Sequence, residues 1–122
     1  MSFGEVGNQF ANHYYATFCS NRAQLVGLYR DTSLVTWSGE QLSGVNAITE
    51  KLANLTFQTA QFKPEDIDCH PSLSGGVLVV VNGECMLDQE RHGLKFNDVF
   101  HLAQDQGNWF ISNQLFRIVG GN

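Results

Sequence analysis

An α+β fold is what this sequence predicts, helices first and strands after, and three observations carry the prediction. Val6, Phe10, Tyr14 and Phe18 recur every four residues, with Ala11 and Tyr15 widening the stripe, which is the apolar face of an amphipathic helix. From Leu55 onward the apolar period changes to two, the period of a half-buried strand. Polar clusters at 88–93 and 105–108 divide that tract into long strands joined by hairpins. Helices followed by hairpin-connected strands form an α+β arrangement: N-terminal helices packed into a strongly curved antiparallel sheet, in one domain spanning residues 1–122.

Each element has its own warrant. Ser2-Phe3-Gly4-Glu5 has the spacing of a capping box, in which the hydroxyl and the carboxylate satisfy the first free N–H groups, so a helix is predicted over 3–19. Asn21 opens a second, short helix carrying Leu25, Leu28 and Tyr29, and Asp31 and Ser33 break its pattern. Leu34-Val35-Thr36-Trp37 reads as a strand, Gly39 as the turn that ends it, and residues 41–44 as the entry to a third helix over 45–52. That helix sets Ile48 and Leu52 on one face and Glu50 and Lys51 on the other.

The strand tract begins at 57–62 and resumes with Ile67 and Cys69 after an interruption at Lys63-Pro64. Residues 77–87 start as a β-branched run and continue as an alternation, 96–102 alternate cleanly, and 109–118 return after the Asp105-Gln106-Gly107-Asn108 turn. One face of such a sheet is buried on the helices. The other needs a cover, and a second copy of the chain is the natural candidate, so a homodimer through the sheet is predicted.

Composition narrows the function. The 122 residues suit a single domain, and the 43% hydrophobic content suits an ordinary globular one. No apolar run approaches the ~20 residues that a membrane helix needs, and the N-terminus has no signal-peptide pattern, so no membrane partner is expected. A net charge of −5 argues against direct nucleic-acid binding. Cys19, Cys69 and Cys85 are an odd number without paired spacing and are expected to be buried thiols in a reducing compartment. Asp66, Asp68 and His70 share a strand face, but spread over about 13 Å they cannot converge on one metal ion. No glycine-rich phosphate loop is present, and no cofactor is expected.

Several motifs carry a resemblance. His13-Tyr14-Tyr15, Leu34-Val35-Thr36-Trp37-Ser38-Gly39, Glu50-Lys51-Leu52, Leu55-Thr56-Phe57-Gln58 and Asn113-Gln114-Leu115-Phe116-Arg117, in this order and at these separations, resemble the nuclear transport factor 2 family across nearly the whole chain. The resemblance implies a cone-shaped fold, a homodimer, and a carrier that takes the small GTPase Ran in its GDP form into the nucleus. It also implies weak binding to Phe-x-Phe-Gly repeats of nucleoporins, and a location in cytoplasm and nucleus with enrichment at the nuclear pore.

The same resemblance assigns residues. A hydrophobic cavity at the mouth of the cone receives an aromatic side chain of Ran, and Tyr14, Tyr15, Trp37, Leu55, Phe57, Leu94 and Phe116 match its lining. A preformed apolar pocket around one aromatic anchor is how a small interface gains affinity. Trp37 is expected to be free for this purpose, whereas parts of Tyr14 and Phe116 are expected to fill the core. Asp88 and Glu90 match an acidic rim that pairs with basic residues of Ran. Ser38 stands where the family has Glu, and Glu40, which would point the same way in an extended segment, is the candidate substitute. Phe3 and Ala60 match the docking place of nucleoporin phenylalanines. The alternative is a small enzyme on the same fold, of isomerase or dehydratase type, acting on an apolar substrate in the cavity. It would need an acid or base inside the cone; Asp31 and Asp98, accompanied by His13 or His101, are the candidates.

Overall fold

The computed structural model describes residues 2–88 and 93–121. Helix α1, Phe3–Ser20, opens with the capping box read from the sequence: Ser2 Oγ accepts the Glu5 N–H while the Glu5 carboxylate accepts from the Ser2 backbone. A 3₁₀ segment, Arg22–Leu28, follows; Tyr29, expected in that helix, instead begins strand β1, Tyr29–Trp37. Then come β2 (Glu40–Ser43), α2 (Val45–Ala53), β3 (Ala60–Pro71), β4 (Val77–Leu87), β5 (Leu94–Asp105) and β6 (Asn108–Gly121). The six strands form one sheet in the order β2-β1-β6-β5-β4-β3.

Three further features differ from the sequence reading. First, β2 replaces the expected helix entry. Ser38 and Gly39 both have positive φ, 50° and 93°, the two-residue turn that matches strand twist, and Trp37 pairs with Glu40 across it. Second, the sheet is mixed: β1 runs parallel to β6, with Trp37 beside Phe116, while the other neighbouring pairs are antiparallel. After α2 the chain crosses to the far edge and returns through the β3–β6 meander, meeting β1 in the same direction. Periodicity carries no strand polarity, so this was not legible. Third, β3 runs unbroken from Ala60 through Lys63-Pro64 with a register shift between Pro64 and Asp66, a bulge that absorbs the proline.

The core lies between α1 and the concave face. Val6, Phe10, Ala11, Tyr14, Tyr15 and Phe18 are all buried, as the stripe predicted, against Val79, Val81, Phe96 and Phe100. Glycines allow two close approaches. A Cβ on Gly7 would strike Cys69 Sγ, so α1 sits directly on β3, and a Cβ on Gly83 would strike the Lys63 carbonyl at the bulge. Ser33 ties the irregular part of β1 down: its hydroxyl accepts the Arg30 N–H at 2.8 Å and donates to the Ile111 carbonyl at 2.5 Å. Of the three cysteines only Cys85 is buried; Cys19 is exposed, at the end of α1 where the stripe runs out.

The convex face shows apolar side chains to solvent. Leu115 is 54% exposed, Val119 58% and Leu34 52%. Register places Leu115 beside Val99, and Val99 beside Val80, in one row across the sheet.

Candidate functional site at the open end of the cone

One end of the concave face is an aromatic cluster. Trp37 at the end of β1 stacks on Phe116 of β6 with centroids 4.1 Å apart, and lies parallel to Phe18 of α1 at 6.1 Å. Phe18 in turn meets Phe57 at 6.2 Å and Phe62 at 5.0 Å. Phe18 and Phe62 are members that the sequence reading missed as site residues, although Phe18 closes the helical stripe. Leu55, Phe57, Phe62 and Leu94 are half-buried and packed against the core.

The expected lining therefore divides. The structure brings Trp37 and Phe116 together, joins Phe57 to them through Phe18, and leaves Leu55 and Phe57 partly open. It does not leave Trp37 free. At 7% exposure it is nearly as buried as Phe116 at 4%, because the parallel ring of Phe116 covers one face. Tyr14 and Tyr15 lie deeper still, and both hydroxyls are engaged in the core.

Those hydroxyls belong to a polar network around Asp98, which is 1% exposed. Tyr15 OH donates to Asp98 Oδ2 at 2.9 Å and Gln114 Nε2 donates to Oδ1 at 3.1 Å. Tyr29 OH donates to Gln114 Oε1 at 2.6 Å and shares a hydrogen bond with Tyr14 OH. Burial pushes the Asp98 carboxyl well above the usual carboxylate range, and the two neutral donors act against it without restoring it. Burial likewise raises the Tyr14, Tyr15 and Tyr29 hydroxyls. A buried acid of raised pKa is what an enzyme on this fold would use. Here both its oxygens are occupied by core donors, and a general acid must have an oxygen within hydrogen-bond reach of its substrate. The other candidates lie apart from it: His13 and Asp31 are exposed, and His101 Nε2 is paired with Ser72 Oγ at 2.9 Å.

The rim is not purely acidic. Asp88, at the end of β4, has φ 52°, and its Oδ1 accepts the N–H groups of Gln58 at 2.8 Å and Thr59 at 3.0 Å. These backbone donors, Thr59 first, hold its carboxyl below the usual range, with a smaller contribution from the Arg22 charge. Glu40 does not extend from Trp37 on the same side, since the Ser38-Gly39 turn reverses the chain between them; it pairs with Lys51 at 2.8 Å. Glu90 lies outside the described residues. Phe3 is exposed at the start of α1 and Ala60 is buried beyond its end, beside Cys19 and Met86 in a surface hollow of about 490 Å³. Cys19 lies sixteen helical rises beyond Phe3, about 24 Å along the axis, so a single chain does not bring Phe3 and Ala60 together.

Helices packed on one face of an unclosed six-stranded sheet, with an aromatic cluster at one end of that face, define a cone-fold protein. The family model for the nuclear transport factor 2 (NTF2) domain matches residues 6–118. Nuclear transport factor 2 of Neurospora crassa is 40% identical over 120 residues, covering 98% of this chain and 97% of that protein. The Schizosaccharomyces pombe protein of the same name is 41% identical, covering 98% of each. The solved structure of nuclear transport factor 2 from Cryptosporidium parvum superimposes with a TM-score of 0.92 at 41% identity, covering 96% of this chain and 94% of that one. The chain belongs to the nuclear transport factor 2 family.

Proposed function

We propose that this chain is a nuclear import carrier, not an enzyme, that binds Ran in its GDP form and moves it through the nuclear pore. Family membership supports the carrier role. The observation that carries the binding site is the half-buried apolar pair Leu55 and Phe57, with Phe57 meeting Phe18 of the Phe18–Trp37–Phe116 stack, beside the Asp88 carboxylate that accepts the adjacent Gln58 N–H. An incoming aromatic side chain would pack on the open parts of Leu55 and Phe57, and a ring meeting Phe57 gains attraction beyond simple area burial. A basic residue of the partner would meet Asp88 Oδ2, since Oδ1 is taken by Gln58 and Thr59. Glu90 and Glu40 remain proposed rim members, Glu40 through its pair with Lys51.

Mixing the purified chain with Ran loaded with GDP or with GTP tests this reading. Binding to the GDP form alone is expected; equal binding, or none, overturns it. Asp88→Asn isolates the charge, because the amide keeps an acceptor for the Gln58 and Thr59 N–H groups and Asn tolerates positive φ. Its association is expected to be several-fold slower at low salt, with a weaker salt dependence. An unchanged on-rate would place Asp88 away from the contact.

A second copy is proposed to cover the convex face, where Leu34, Leu115 and Val119 are exposed. Leu115→Lys is expected to give monomers by sedimentation equilibrium where the native chain gives dimers; unchanged dimers would move the interface elsewhere. Phe-x-Phe-Gly repeats are proposed to bind weakly at Phe3 and Ala60. These two can share a slot only where a second copy brings one chain's Phe3 near the other's Ala60. Weak, rapidly reversed contacts suit passage through the pore, and the location is accordingly proposed to be cytoplasm and nucleus, enriched at the pore. Among the described residues no helix is long and apolar enough to cross a membrane.

A further inference from the structure

We infer that Arg22 is a positioning residue of the proposed partner site: together with Asp88 it clamps the backbone of residues 57–59 and so presents Leu55 and Phe57 at the mouth. The inference rests on the reading that the mouth receives a partner's aromatic side chain.

Residues 54–59 link α2 to β3 without belonging to a helix or strand, yet they supply two residues of the apolar rim. A link of that kind is ordinarily the most mobile part of a fold. Here it is gripped from two elements. Arg22, at the start of the 3₁₀ segment, donates Nη2–H to the Phe57 carbonyl at 3.1 Å, while its guanidinium lies 4.9 Å from the Phe57 ring centroid and 5.5 Å from that of Phe18. Asp88, at the end of β4, accepts the Gln58 and Thr59 N–H groups, and its own N–H donates to the Thr59 carbonyl at 2.9 Å. The grip thus covers the Phe57 carbonyl, the Gln58 N–H and both backbone groups of Thr59. The cation takes a carbonyl and the anion takes N–H groups, each the partner its charge prefers. Arginine suits its place because the plane of the guanidinium stacks on the rings while its edge donates, whereas a lysine ammonium is a point donor without a stacking face.

Hydrogen exchange on the full chain, beside affinity for the GDP-loaded GTPase used above, tests the clamp. Arg22→Gln is expected to raise the exchange rates of the Gln58 and Thr59 amides about tenfold or more, leaving those of Val79 and Val81 in the core unchanged. Affinity is expected to fall about tenfold, expressed mainly as faster dissociation. Arg22→Lys, which keeps the charge near Asp88, is expected to restore neither. Unchanged exchange at 58 and 59, or a rise shared by the core amides, overturns the clamp. Full rescue by Arg22→Lys overturns it too, by assigning the effect to charge alone. Raised exchange with undiminished affinity overturns the link from clamp to binding. If the native chain fails to bind the GTPase, the reading of the mouth fails, while the exchange rates still decide whether Arg22 clamps the segment.

Discussion

Trp37→Ala is expected to lower the unfolding temperature by roughly 10–20 °C, a loss of about 3–5 kcal/mol. The ring is 7% exposed, and its deletion removes the partner of Phe116 at 4.1 Å and of Phe18 at 6.1 Å. Those rings are anchored by the sheet and by α1, so the gap would close only in part. The family resemblance suggested a different outcome, binding lost with the fold intact, because it matched Trp37 to a cavity lining free to meet a partner's ring. The structure buries it in the aromatic stack, so this variant loses stability, and the proposed binding is expected to fall with it. Trp37→Phe separates the two effects, since it keeps a ring in the stack while narrowing the surface it offers. Thermal unfolding followed by near-ultraviolet circular dichroism checks the point. A midpoint for Trp37→Ala within about 2 °C of the native chain would show that the stack contributes little and that the ring is free after all.

The parts of the molecule that periodicity encodes were legible in the sequence. The α1 stripe was read residue for residue, and its capping box is present. The β4 and β5 alternations predict which side chains face inward: Val81 and Cys85 on one strand, Phe96, Phe100 and Leu102 on the other. Legibility ends where one residue's environment depends on a distant strand. Nothing local in Ser38-Gly39-Glu40 distinguishes a tight hairpin from a helix entry, because glycine permits both. The parallel pairing of β1 with β6 depends on which edge the chain reaches after α2, and that is decided by packing across the whole sheet. The site shows the same division. Trp37, Phe57 and Phe116 could be gathered by resemblance, but Arg22 could not, since an arginine after a helix end is ordinarily a solvated charge. Its role exists only because residues 57–59 fold back against it.

Asp98 supplies the strongest pH dependence expected of this chain. In the unfolded chain its carboxyl ionises near the ordinary value of 3.8, whereas in the fold burial holds it well above that. Over the interval between those two values the folded state binds the extra proton. The stability that the protonated form contributes is therefore fully present below 3.8 and is lost progressively as pH rises toward the folded pKa, beyond which the curve is flat. The slope approaches about 1.4 kcal/mol per pH unit while one full proton separates the two states. Asp98→Asn keeps the shape and a neutral acceptor for Tyr15 but cannot ionise, so subtracting its stability from that of the native chain cancels the titrations both share. Urea midpoints for both proteins from pH 4 to pH 9 are expected to show the native chain losing ground to the variant as pH rises, then running level with it. Parallel curves throughout, or a native chain that gains with pH, would mean that Tyr15 and Gln114 stabilise the carboxylate well enough to outweigh burial. The fold would then hold a buried charge in its core and not a neutral acid, and the hydrogen bonds at 2.9 and 3.1 Å would rank among the strongest in the domain.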